Sequence, residues 1–218
     1  MALKTNKPGN KKRKKRNSGT SVSVNEKFRF ISGILVLLIS AYLLIAFISF
    51  LFYGDADQSK FDLKWSEFVL DSSVKVQNKA GKTGAYLAEV IVNHGFGIAS
   101  FIFIYLLIIT GFKILGRSPV KYWRSVVFSL LLILWLSVAL GLTFSVNDAG
   151  NFFYVGGRYG FILSNWLSAL IGKSGLILLL FISALTLIIS RFEKAYEGVK
   201  SLIRRKDESL KKQSTSSE

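Results

Sequence analysis

Two long apolar runs, Gly95 to Phe112 and Ser125 to Phe144, hold no acidic or basic residue, and only twelve residues separate them. A spanning α-helix needs roughly 20 mostly apolar residues to cross about 30 Å of hydrocarbon, within a range of about 17–25. Both runs satisfy that length. The link between them carries Lys113, Arg117, Lys121 and Arg124 and no Asp or Glu. Short loops rich in Lys and Arg stay on the cytoplasmic side. The pair therefore reads as a membrane hairpin with its turn inside the cell.

The rest of the charge follows that hairpin. The chain is 50% apolar yet carries a net charge of +16, a pairing foreign to a soluble domain and ordinary for a membrane protein with charged tails and loops. Two further uncharged runs, Phe30 to Tyr53 and Ser174 to Ser190, complete four crossings. Of the 29 basic residues, 22 then fall in the two tails and the hairpin turn, against 7 in the external segments 54–95 and 145–174. The predicted fold is an all-α, N-in/C-in membrane protein with helices at about 30–53, 92–112, 125–145 and 174–190. External segments cover 54–91 and 146–173. The first apolar run is too long for the core of a cleavable signal peptide and remains as helix one. With no cysteine, disulfides, thiol nucleophiles and Cys-ligated metals are excluded.

Residues 1–27 read as a disordered cytoplasmic tail. Its block Lys11, Lys12, Arg13, Lys14, Lys15, Arg16 sits among Gly, Asn and Ser and cannot bury a core. It suits a solvated positive-inside anchor in contact with anionic headgroups. DNA contact is the competing reading, but no aromatic residue interleaves the block to stack bases. At the other end, 191–218 reads as a helix extension striped by Phe192, Ala195, Val199 and Leu202, then the start of a polar linker.

In the first external segment, Phe61, Trp65, Phe68 and Val76 predict a short amphipathic helix, either on the membrane surface or packed over the bundle mouth. Gly81-Lys82-Thr83 imitates the end of a phosphate-binding loop, but the glycine required five residues earlier is Val76. Glu89 and the only histidine, His94, lie near the outer membrane edge. An ionisable group there raises a proton-relay reading, and a lone His beside glycines more often makes an interfacial hydrogen bond. Residues 159–172 are uncharged but too short to span, predicting a short amphipathic or re-entrant helix before the fourth, with Ser164, Asn165 and Ser168 on one face. Small residues let membrane helices approach closely. Gly81, Gly84, Gly95, Gly97, Gly156, Gly157, Gly160, Gly172 and Gly175 are therefore candidates for helix packing, oligomer contact or tight internal turns.

The order of these features resembles the N-terminal four-helix membrane domain of the FtsK/SpoIIIE DNA translocases, in its Bacteroidetes form. The resemblance covers about residues 25–200. It rests on the basic tail and on Ser49-Phe50 closing helix one before Gly54-Asp-Ala-Asp-Gln-Ser59. It rests also on Asn78 to Ala88 leading through Gly95-Phe-Gly97, and on the turn Gly156-Gly-Arg-Tyr-Gly160. The resemblance implies a multi-pass anchor in the bacterial inner membrane at the division septum, contacting other division proteins and assembling as a homo-oligomer, a hexamer in the family. DNA, ATP and Mg belong to a motor domain whose Walker motifs are absent from residues 1–218, so no catalytic residue, cofactor site or metal site is assigned and the chain is not expected to be an enzyme. Alternative readings are a stand-alone membrane scaffold and, less favoured, a small transporter or channel subunit. The four cores lack the intramembrane charges that a substrate path uses.

Overall fold

The structure, a computed structural model, describes residues 24–191 apart from 62, 64, 118–119 and 145–152. Six α-helices and no strand occur among the described residues: α1 (Val24–Asp57), α2 (Trp65–Leu70), α3 (Gly81–Ala88), α4 (Phe101–Ile114), α5 (Tyr122–Thr143) and α6 (Gly157–Arg191). α3 and α4 are the two ends of one broken rod, so four rods are long and apolar enough to cross a membrane. This is the all-helical, four-span architecture that the hairpin and charge pattern predict. The Lys11–Arg16 block and the predicted extension after Arg191 lie outside the described residues.

In lipid the hydrophobic effect gives helices no reason to associate, so packing rests on close fit and hydrogen bonds. The buried positions show how the fit is made. On α1, Gly33, Ser40, Phe47 and Gly54 are buried seven apart, the seam of a left-handed helix pair. That seam faces α4, where Gly33 and Gly111 oppose each other: a β-carbon on Gly33 would reach Leu115 at 2.6 Å, and one on Gly111 would reach Leu37 at 2.8 Å. On α5, Ser125, Ser129, Ile133, Ser137 and Gly141 are buried four apart, a single ridge of mostly small residues. Large apolar side chains instead point outward, among them Leu38, Phe52, Leu131 and Phe181. Such exposure suits hydrocarbon.

The aromatic centre lies where α1 meets the broken rod. Phe47 and Phe50 are 1% exposed and pack with Ala46, Ala88, Val92 and Ile104. Phe47 meets Phe101 edge-on at 5.7 Å, and Phe50 meets Phe153 edge-on at 6.2 Å. The aromatic stripe after α1 packs onto α3. Phe68, on the six-residue α2, is 2% exposed and lies between Phe61 and Tyr86. Phe68 is the member of the stripe that is buried, Phe61 and Val76 are half-buried, and the Trp65 side chain lies outside the described residues.

Two breaks depart from regular spans. Between α3 and α4 the chain passes through a π-helical segment, Glu89–Phe96, and a 3-10 turn, Gly97–Ser100. Gly95 (φ −84°, ψ −115°) and Gly97 (φ +63°, ψ −139°) leave helical geometry altogether. An uninterrupted apolar run gives no sign of this. Backbone groups freed at membrane depth need partners inside the protein, and two are found: Ser100 Oγ donates to Ile91 O at 2.6 Å and Ile98 N donates to Val155 O at 2.9 Å. The second break is Gly172 (φ +75°, ψ +159°), which divides α6 where the sequence divides an uncharged 14-residue stretch from the fourth span.

Candidate functional site

Five of the predicted glycines converge. Gly95 and Gly97 of the broken rod meet Gly156 and Gly157, and Gly160 at the start of α6 lies against Ser137 of α5. A β-carbon on Gly97 would overlap the backbone of Val155 and Gly157, one on Gly157 would overlap Gly95, and one on Gly160 would overlap the Ser137 carbonyl. Three hydrogen bonds fix the junction. Ser137 Oγ donates to Gly156 O at 2.5 Å, Gly157 N to Tyr154 O at 2.8 Å, and Tyr154 N to Asn93 Oδ1 at 3.0 Å. Only residues without a β-carbon let three elements share this volume. Gly84 packs separately under Ala80 and Tyr42, whereas Gly81, Gly172 and Gly175 lie outside the junction.

Asn93 also joins the junction to a buried carboxylate. Glu89 is 4% exposed; its Oε1 accepts from Asn93 Nδ2 at 2.7 Å and its Oε2 from Gln58 Nε2 at 3.0 Å. His94 Nε2 stands 3.6 Å from Oε1, with its side chain half exposed. Glu89 thus links the end of α1 to the loop before α6 through amide hydrogen bonds. Among the described residues no three His, Asp or Glu come close enough to hold a metal. The arrangement positions backbone from three elements.

A second buried acid, Asp57, staples down the segment that follows α1. Asp57 is 1% exposed, and its carboxylate accepts Gln77 N at 2.9 and 3.0 Å, Asn78 N at 3.1 Å and Lys60 Nζ at 2.8 Å. Asn78 Nδ2 continues to Ala46 O at 3.0 Å, and Lys79 N donates to Ser49 Oγ at 2.8 Å. The residues of the false phosphate loop are used the same way: Lys82 Nζ reaches Asp71 O and Thr83 pairs with Tyr42 at 2.7 Å. Helix α1 and the loop that follows it are therefore one unit.

At the hairpin end, Lys113 Nζ lies 3.5 Å from the Tyr122 ring centroid and 5.0 Å from that of Trp123. Arg124 Nη2 donates to Ser190 O at 2.5 Å, closing α5 onto α6. Arg117 and Lys121 are exposed. The predicted basic turn is thus two tied cations and two free of the bundle.

Sequence reasoning missed Gly33, Gly111, Gly141 and Ser137, whose signal is the regular spacing of small residues within apolar runs. It also missed Asp57, Gln58 and Asn78. The bonds from Asp57 to the Gln77 and Asn78 amides, from Gln58 to Glu89 and from Asn78 to Ala46 each span 20 or more residues, which spacing cannot reveal.

The family described as the 4TM region of DNA translocase FtsK/SpoIIIE matches residues 26–200. Comparison with curated proteins and with solved structures returns no match.

Proposed function

Given that the chain belongs to the family of the 4TM region of the FtsK/SpoIIIE DNA translocases, we propose that it anchors and assembles such a translocase at the division septum of the bacterial inner membrane. One observation carries the reading. The matched interval, 26–200, covers all four rods but for the first two residues of α1, with the glycine junction and both buried acids, so the match is to a membrane domain and not to a motor. In this reading the hairpin turn and both tails face the cytoplasm, as their 22 basic residues favour. The external unit closed by Asp57 then faces the division proteins, and the spans associate as a homo-oligomer, a hexamer by family. DNA, ATP and Mg engage the family's motor domain. The segment before Gly172 lies along the outer leaflet, where Trp166 is exposed.

Localisation tests this directly. A fluorescent fusion of the full chain should concentrate at the septum, and uniform membrane distribution overturns the septal role. An antibody to residues 55–80 should detect, in cell membranes, a product far above 24.3 kDa; a band at that mass alone replaces the translocase reading with a stand-alone scaffold.

A further inference from the structure

At the hairpin end, α5 presents two apolar grooves that share Phe128 and Arg191. One, about 340 Å³, runs between α4 and α5 from Ser125 to Leu132 and Phe101. The other, about 490 Å³, passes Trp123 and Leu131 on the far side of Phe128. Arg191 Cζ lies 5.6 Å from the Phe128 centroid, over the ridge dividing the grooves. Arg124 stands beside it, with one nitrogen on Ser190 O. A guanidinium has five N–H donors, so donors remain on both arginines.

We infer that this is a binding site for one anionic diacyl phospholipid, its phosphate held by Arg191 and Arg124 and its two chains straddling Phe128. Charge complementarity selects the occupant. Two guanidiniums at one membrane edge match a phosphate bidentately, and the carboxylate–cation pairs Lys60–Asp57 and His94–Glu89 involve neither arginine. The depth fits as well. Ser125 to Leu132 covers about 10 Å of helix rise, placing an acyl chain from the headgroup edge toward the bilayer centre. Ser125 adds an independent sign: it is 2% exposed, lines the first groove, and its hydroxyl has no partner among the described residues. A χ1 rotation turns that hydroxyl toward an ester oxygen of the lipid. Basic pockets between spans at the cytoplasmic edge are suited to such headgroups. The site does not depend on a septal or DNA-related role.

Native mass spectrometry of the full chain in detergent tests it, with phosphatidylglycerol or phosphatidylcholine added. The expected result is retention of one phosphatidylglycerol through collisional activation, with phosphatidylcholine lost. Arg124→Gln with Arg191→Gln should lower that retention roughly tenfold or more, while Lys121→Gln, an exposed cation at the same edge, changes it less than about twofold. Equal loss in K121Q means general charge attraction and overturns the site. So does equal retention of the two lipids by the unaltered chain, a comparison that needs no variant to fold. Arg191→Lys, which keeps charge without the fork, should give an intermediate value.

Discussion

Gly97 and Gly157 share one space: a β-carbon built on either residue would overlap the other's amide nitrogen, and both hold positive φ, +63° and +75°. The broken second rod and the start of α6 therefore touch main chain to main chain. Gly97→Ala or Gly157→Ala combines backbone strain of about 1–3 kcal/mol with overpacking of similar size. Gly81→Ala supplies the contrast, because Gly81 has φ +70° but open space around it. Thermal unfolding in detergent should rank G97A and G157A well below G81A. Equal melting temperatures would mean the contact contributes nothing.

Asp57 should behave as a latch. Asp57→Ala leaves the buried amide of Asn78 without its acceptor, at about 1–3 kcal/mol, and releases the more exposed amide of Gln77 to water. Trypsin added to the outer face of reconstituted vesicles should then cut faster at Lys75 and Lys79. Asp71→Ala, on the exposed turn beside it, should leave the rate within about twofold.

That exposed turn carries a small pH signature. The Ser73 hydroxyl and amide, and then the Lys82 charge, hold the Asp71 carboxyl below the ordinary value of 3.8. A depressed carboxylate stabilises its turn above the ordinary value, and the contribution is lost as pH falls through the lower, folded one. The Ser73 amide resonance should titrate with a midpoint below 3.8; a midpoint at or above it would break the assignment.

The α1–α4 crossing depends on absent side chains. Gly111→Leu would drive a side chain into Leu37, at about 1–3 kcal/mol or more. Its lipid-facing neighbour Phe112→Leu should be close to neutral. Comparable losses in the two variants would show that the crossing tolerates separation.

Orientation is open to direct labelling, since the chain has no cysteine. Single cysteines at Ser59 and Arg117 should react with an impermeant maleimide from opposite faces of the membrane. Labelling of both from one face would dismiss the hairpin topology.

The spans were legible because hydrocarbon thickness leaves few ways to place uncharged runs of this length. The junction was legible only as a set of glycines. Gly95, Gly97, Gly156, Gly157 and Gly160 were visible, but their mutual contact was not, because sequence distance says nothing about which backbones meet. The π-helical segment was invisible for a related reason: the partners that satisfy it, Gln58 on Glu89 and Tyr154 on Asn93, come from other parts of the chain. Glu89 itself carried a signal in its Asn93 and His94 neighbours, four and five residues on. The basic hairpin showed its charge, while its aromatic contacts depend on tertiary placement.

Gly172 sets the mechanical path through the molecule. Nothing lies within 4 Å of a β-carbon placed there, and its backbone is not helical. Beyond it, α6 is fastened to α5 by Trp135 Nε1 on Leu180 O at 3.0 Å and by Arg124 on Ser190 O. A load pulling on Arg191 meets those two ties before it reaches Gly172. Tension from the C-terminal side is thus delivered to α5, whose Ser137 holds Gly156 O and packs against Gly160, so the glycine junction is loaded through α5 and not through Gly172.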